Sequence, residues 1–220
     1  MVSRETPGPA PGLPEWLSGR TDVLTSYVDL LASAGVERGL IGPREVPRLW
    51  DRHILNCAVV SDPATDLVPQ GSLVADVGSG AGLPGLVWAI ARPDVRVLLI
   101  EPLLRRSTFL SEAVASLHLS DQVTVWRGRA EEASTVVPSV DVVTARAVAP
   151  MDKLLGWTAP LLRSGGKLVV LKGSNAATEV EQAQKTARAL GVQDLRVVHV
   201  GGEFMDPPTT VVVGIRGAAE

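Results

Sequence analysis

The chain of 220 residues has a single cysteine, Cys57, and only three histidines, His53, His118 and His199. One cysteine excludes an internal disulfide framework and fits a reducing cytoplasm. With so few soft ligands, and those scattered, no zinc or other metal site is expected. No apolar run reaches the roughly 18 to 20 residues that span a bilayer, so no membrane segment is expected. The N-terminal stretch "MVSRETPGPAPGLPEW" lacks an apolar signal-peptide core. Its Pro/Gly content reads as a disordered leader over 1–12. An excess of positive charge is missing too: the formal net charge is −3. That argues against a non-specific nucleic-acid binder but leaves room for a local basic face on a structured RNA. Aromatic residues make up 4%, and the five tryptophans are too dispersed to form a stacking platform, so most are expected in the core.

What is there is enough for one domain with a sizeable core, since 45% of residues are hydrophobic and 20% charged. From Ser72 onward, short apolar runs alternate with helical periodicity. "SLVADVG", "VRVLLIEP", "QVTVWRG", "SVDVVTARAV" and "SGGKLVVLKG" read as strands. "LPGLVWAIARP", "RRSTFLSEAVASLHL", "MDKLLGWTAPLL" and "TEVEQAQKTARALG" read as the helices between them. "LRVVHVGG" and "TTVVVGIRG" follow each other directly and read as an antiparallel pair at one edge. The pattern predicts a mostly parallel α/β sheet over 62–217, preceded by a helical extension over 13–61.

The densest local signal is "DVGSGAGLPG", Asp76 to Gly85, directly after the first strand. Gly80, Gly82 and Gly85 spell G-x-G-x-x-G, with Glu101 about 20 residues on, which is the dinucleotide spacing. Two features weaken that reading. The first glycine is Gly78, two residues earlier, and Asp76 places a carboxylate where a pyrophosphate is poorly tolerated and a cation is favoured. A Walker loop is excluded because no Gly-Lys-Ser/Thr follows. A plain turn is the bland alternative, at odds with the entropy that so many glycines forfeit. A third ligand, S-adenosyl-L-methionine, accounts for more residues. It is cationic, carries no phosphate and presents a ribose diol. Asp76, Gly78, Gly80 and Gly82 suit its methionine half. Glu101 suits the two ribose hydroxyls. Ala130 and Glu131 of "RAEE" stand where adenine would lie.

With those residues in place the chain resembles the class I S-adenosylmethionine-dependent methyltransferases, a Rossmann-like fold with a seven-stranded, mostly parallel sheet. "RHILNC" (Arg52–Cys57), "DVGSGAGLPG", "RRSTFL", "TARAVAP" (Thr144–Pro150) and "GGKLVVLKG" (Gly165–Gly173) occur in that order. Together they resemble the glucose-inhibited division protein B family, the small-subunit rRNA guanine-N7 methyltransferases, over about residues 48–173. The resemblance implies modification of one guanine of 16S rRNA, and the expectation is a cytoplasmic, monomeric enzyme with 16S rRNA or the 30S subunit as partner. It implies donor contacts at Gly78, Leu83, Ala130, Glu131 and Arg146, with Glu101 as the ribose-binding acid. Asn56 stands where many members carry Asp, and "GLIGPREVPRLW" replaces the family's usual Asn-Leu-Thr stretch.

Guanine N7 has a lone pair and no proton, so methyl transfer to it needs positioning rather than a general base. N7 and O6 are both acceptors. Arg146 is therefore the candidate to bind O6, a phosphate or the donor's carboxylate. Lys172 is a second candidate phosphate or base contact. Arg48 and Arg52, four apart, can present a basic face to RNA with His53 and Asn56. A solvated helix face is the alternative. His53 and Cys57 share i, i+4 spacing, but a lone Cys on an apolar stripe is expected to be core. "MDPPTT" (Met205–Thr210) is read as a turn. Rival readings are a methyltransferase of the same fold with another substrate, an NAD(P)-dependent oxidoreductase, and a ribosome-binding protein without activity.

Overall fold

The computed structural model describes residues 13–146 and 148–218. Among these residues the strands are β1 (Leu73–Val77), β2 (Arg96–Ile100), β3 (Val123–Trp126), β4 (Val140–Arg146), β5 (Leu162–Leu171), β6 (Val192–Val200) and β7 (Thr209–Arg216). They form one sheet in the order β3-β2-β1-β4-β5-β7-β6. β1 to β5 run parallel, and β7 lies antiparallel between β5 and β6. Strand order reverses between β1 and β4, and ligands of open α/β sheets bind at the carboxyl ends beside such a switch.

Successive strand residues point to opposite faces, and the two faces carry separate cores. Val74, Val97, Leu99 and Val142 pack on one side. Ala75, Leu98, Ile100 and Val143 pack on the other. The second face is covered by α5 (Ala130–Val136), α6 (Met151–Thr158) and α7 (Ala176–Ala189). On α7 the buried positions are Ala176, Val180, Ala183 and Ala187, a stripe at helical spacing. The first face takes α3 (Gly85–Ala91), α4 (Leu104–Ser116) and the N-terminal helices.

Those N-terminal helices share the core of the sheet. Leu17, Leu24, Tyr27 and Val28 are fully buried in the same cluster as Leu86 and Trp88. The Trp88 indole donates to the Cys57 carbonyl at 2.8 Å. The Arg92 guanidinium donates to the Ser61 and Val68 carbonyls at 3.0 and 3.1 Å. Among the described residues of this segment, the α-helical elements are α1 (Thr21–Leu30) and the short α2 (Asn56–Ala58). The stretches Leu31–Gly35 and Leu49–Leu55 are π-helical, a form that recurs at functional sites. Periodicity did not reveal this irregularity.

Three boundaries differ from the sequence expectation. α3 begins at Gly85, so Leu83 and Pro84 belong to the loop. β5 begins ahead of the Gly165-Gly166 pair, and its register with β4 shifts there. β6 starts at Val192, three residues before "LRVV". The expected leader lies outside the described residues.

Candidate functional site: two cavities joined at Arg146

A cavity of about 520 Å³ opens at the carboxyl ends of β1, β2 and β4. The loop after β1 forms its floor through Gly78, Gly80 and Leu83. Glu101 ends β2 in its wall, Ala130 and Glu131 open α5 beside it, and Arg146 ends β4. Gly78 has φ +70, and a Cβ there would stand 2.9 Å from a Val148 methyl. Only glycine lets the loops after β1 and β4 approach this closely.

Most of the loop's amides are already used. Gly78 and Ser79 donate to the Ile100 carbonyl, Gly82 and Leu83 to that of Ser79, and Gly80 to Glu101. Gly85 N–H, at the first turn of α3, donates to Asp76 Oδ2 at 3.0 Å. A pyrophosphate needs free N–H groups at that helix end. Here the chain's own carboxylate fills the place, which removes the dinucleotide reading.

Asp76 is fully buried and lies behind the loop rather than in the cavity lining. It was expected among the ligand contacts; its observed work is to tie the loop to α3. Burial pushes its carboxyl up to about 7. Gly82 is likewise off the lining. Its φ is +98, and a Cβ there would stand 2.9 Å from the Tyr27 hydroxyl. That hydroxyl donates to the Ala81 carbonyl at 2.7 Å, so α1 braces the loop from below.

Glu101 is 1% exposed yet borders the cavity. Its Oε2 accepts from Gly80 N–H and its Oε1 from Leu103 N–H, each at 3.0 Å. A carboxylate has about four acceptor sites, so each oxygen retains capacity for a hydroxyl. The cavity therefore fits a ligand that donates hydrogen bonds and carries no phosphate.

A second cavity, of about 760 Å³, adjoins the first and shares Arg146 and Val148 with it. Arg52, His53, Asn56 and Lys172 line it together with Glu45. Arg146 Nη2 lies 3.0 Å from His53 Nδ1, and His53 Nε2 lies 3.0 Å from Glu45 Oε2. Arginine only donates, so Nδ1 accepts and Nε2–H donates to Glu45: the imidazole is neutral. Burial, reinforced by the Arg146 charge, lowers the His53 pKa. The hydrogen bond from His53 lowers that of Glu45. Arg52 Nη1 also donates to Glu45, at 3.2 and 3.3 Å.

The expected basic face is thus altered. Glu45 offsets Arg52 and accepts from a His53 that burial and the Arg146 charge keep neutral, while Arg48 is exposed and outside the cavity lining. Asn56 Nδ2 donates to Thr209 Oγ1 at 2.9 Å and ties α2 to β7. Lys172 is not a free cation. Its side chain is 6% exposed and donates to Ala149 O at 2.6 Å and Glu179 Oε2 at 2.7 Å. The same Glu179 oxygen accepts from Met151 N–H, so Lys172 anchors the start of α6 and the segment before it. Cys57 is fully buried, and burial pushes its thiol up to about 11. Both His53 nitrogens are engaged elsewhere, so no thiol–imidazole pair forms.

The family model described as GidB, rRNA small subunit methyltransferase G, matches residues 20–206. The chain belongs to this family. A ribosomal RNA small subunit methyltransferase G of Mycolicibacterium gilvum is 52% identical over all of this chain and 95% of its own length. One from Thermobifida fusca is 56% identical over 86% of this chain and 78% of its own length. Among solved structures, an O-methyltransferase family protein from Burkholderia thailandensis superposes with a TM-score of 0.57 at 14% identity. That match covers 94% of this chain and 71% of the other. The tRNA (m1A58) methyltransferase TrmI of Aquifex aeolicus gives 0.56 at 15% identity, over 75% and 69% of the two chains. At those identities the likeness shows the fold, which is that of the class I methyltransferases. The chain is a methyltransferase of the GidB family.

Four residues at or beneath the two cavities escaped sequence reasoning. Tyr27 braces a loop 54 residues away. Trp157 borders the first cavity from α6, although the tryptophans were expected mostly in the core. Glu45 and Glu179 pair with residues that were singled out. Glu45 precedes Arg52 and His53 by seven and eight residues, two helical turns, which was the available signal.

Proposed function

We propose that the chain transfers a methyl group from S-adenosyl-L-methionine to N7 of a guanine in 16S rRNA of the small ribosomal subunit. The observation that carries this is the first cavity's chemistry. Most of its glycine-loop amides, that of Gly85 at the head of α3 included, are occupied by the chain itself, while the buried Glu101 keeps acceptor capacity at the wall. That combination suits a ribose diol and a cationic amino-acid moiety and opposes a pyrophosphate. When bound, the donor supplies an electrophilic methyl on a sulfonium.

The rest falls to this chain's residues. Glu101 accepts the ribose hydroxyls, and Gly78 and Leu83 line the place of the methionine half. Ala130 and Glu131 border the adenine. Arg146 stands at the junction of the cavities and offers N–H donors to O6 of the acceptor base, which leaves N7 free to react. N7 carries no proton, and the second cavity's imidazole has both nitrogens engaged, in keeping with catalysis by positioning. Membership of the GidB family supports the rRNA acceptor.

The test is to map N7-methylguanosine in 16S rRNA from cells with and without the gene, and to repeat the methylation with purified protein on 30S subunits and on free rRNA. The expected result is one guanine modified only when the protein is present. An unchanged map, with no transfer to either substrate, overturns the proposal.

A further inference from the structure

The second cavity carries a carboxylate that methyl transfer to N7 does not require. Glu45 enters from the N-terminal helical segment, with its side chain 31% exposed, and lines the cavity beside His53 and Arg146. Its other partner, Arg52, is 53% exposed and contacts it at 3.2 Å, a long and solvated pair. Such exposed pairs open at little cost. The contact from His53 is the better made: 3.0 Å, from a ring only 12% exposed. Glu45 is thus oriented from behind by an imidazole while its solvent side is held by a replaceable arginine.

Arg146, His53 and Glu45 follow one another along one wall as donor, neutral ring and acceptor. Around the guanine edge, the groups after N7 are O6, an acceptor, and then N1–H and the N2 amino group, both donors. The order on the wall complements the order on the base. Glu179, the other carboxylate of this cavity, is committed through Oε2 to Lys172 and Met151 and serves the fold.

The geometry points to Glu45 as the residue that selects guanine, by accepting N1–H and N2–H of the acceptor base while Arg146 donates to O6. This inference rests on the proposed guanine-N7 activity. Arg52, displaced from Glu45, becomes free to meet a neighbouring phosphate. Adenine is rejected, because its unprotonated N1 would face the carboxylate and leave a charge unpaired.

The test uses the full chain and 30S subunits reconstituted with 16S rRNA carrying guanine or inosine at the modified position. Inosine keeps N7, O6 and N1–H and lacks only the N2 amino group. The wild-type enzyme should lose roughly ten- to a hundredfold in kcat/KM on inosine, the scale of a bidentate base contact. Glu45→Gln should lose a similar factor on guanine, and its guanine-to-inosine ratio should fall towards one. The glutamine oxygen can still accept from His53, so a role limited to orienting the ring would leave that ratio at the wild-type value. Glu45→Ala should show the same loss of discrimination, with donor affinity by calorimetry and thermal melting retained. A wild-type ratio in either variant overturns the inference. If the wild-type enzyme forms no N7-methylguanosine at all, the guanine-N7 reading itself falls, and this inference with it.

Discussion

The two cavities meet at Arg146 but are built by different means. The first is made of backbone: a loop most of whose amides are spent internally, and a carboxylate gripped by one of them and by the amide of Leu103. The second is made of long side chains from distant parts of the chain, each held by another: Arg146 by His53, His53 by Glu45, Lys172 by Glu179. A backbone cavity is preorganised by the sheet. A side-chain cavity is organised only while its pairs remain intact, and it can re-pair with an incoming ligand. The first suits a small ligand of constant shape, and the second a nucleotide delivered by a large RNA.

Arg146 belongs to both, so removing it should have the largest effect. Arg146→Ala is expected to lower methyl transfer by roughly a thousandfold, the scale of losing a donor aimed at reacting groups. The side chain is only partly buried, so the variant should fold and melt cooperatively. A folded Arg146→Ala enzyme with near-normal turnover would break the view that the cavities act together.

Glu101→Gln tests the backbone cavity alone. The amide keeps the shape and one acceptor but loses the charge. Donor affinity by calorimetry should fall roughly ten- to a hundredfold, the worth of charge-assisted hydrogen bonds. Affinity for rRNA should stay close to wild type. Equal losses for both ligands would contradict the separation of the two regions.

The same contrast decides what the sequence made legible. The glycine loop, Glu101 and the alternation of strands and helices are local: a loop after an apolar run, an acid at the next strand's end, a period that switches from two to 3.6. Such features survive reading in one dimension. Asp76 was noticed, but its direction was not legible, because facing a ligand and bracing Gly85 demand the same residue type. The second cavity is non-local. Arg146 and His53 are 93 residues apart, and Asn56 and Thr209 are 153 apart. Lys172 illustrates the consequence: a strand-end lysine suggests a phosphate contact until Glu179 is seen beneath it.

His53 provides a smaller, pH-dependent effect confined to the side-chain cavity. Its neutral ring accepts from Arg146, and it is surrounded by Glu45, Arg52 and Arg146. Protonation abolishes that acceptor and sets two cations against each other. Because the folded pKa is lowered, the orienting bond persists down through the ordinary histidine range and is lost only at lower pH. Turnover should therefore carry an acid limb below about 6.5, the unperturbed value. His53→Ala should lose about tenfold in kcat and the acid limb with it, consistent with a positioning residue acting through Arg146. Donor affinity should hardly change. An acid limb that survives in His53→Ala would assign it to another group.

Asp76 should have the smallest effect on methyl transfer and leave its mark on stability instead. Its folded carboxyl titrates near 7, against the 3.8 of an unperturbed aspartate. Between those values the folded chain keeps a proton that the unfolded chain releases. The stability Asp76 contributes is thus fully present below about 4 and is lost as pH rises through about 7. Asp76→Asn keeps an acceptor for Gly85 N–H and removes the titration. Melting temperatures of wild type and Asp76→Asn, compared from pH 5 to pH 8, should diverge by several degrees in the variant's favour as pH rises. The other ionisable groups are common to both proteins, so the difference isolates this carboxyl. A constant difference across the range would mean that the loop rests on an ionised aspartate. The backbone cavity would then owe its form to charge at the head of α3 as well as to hydrogen bonding.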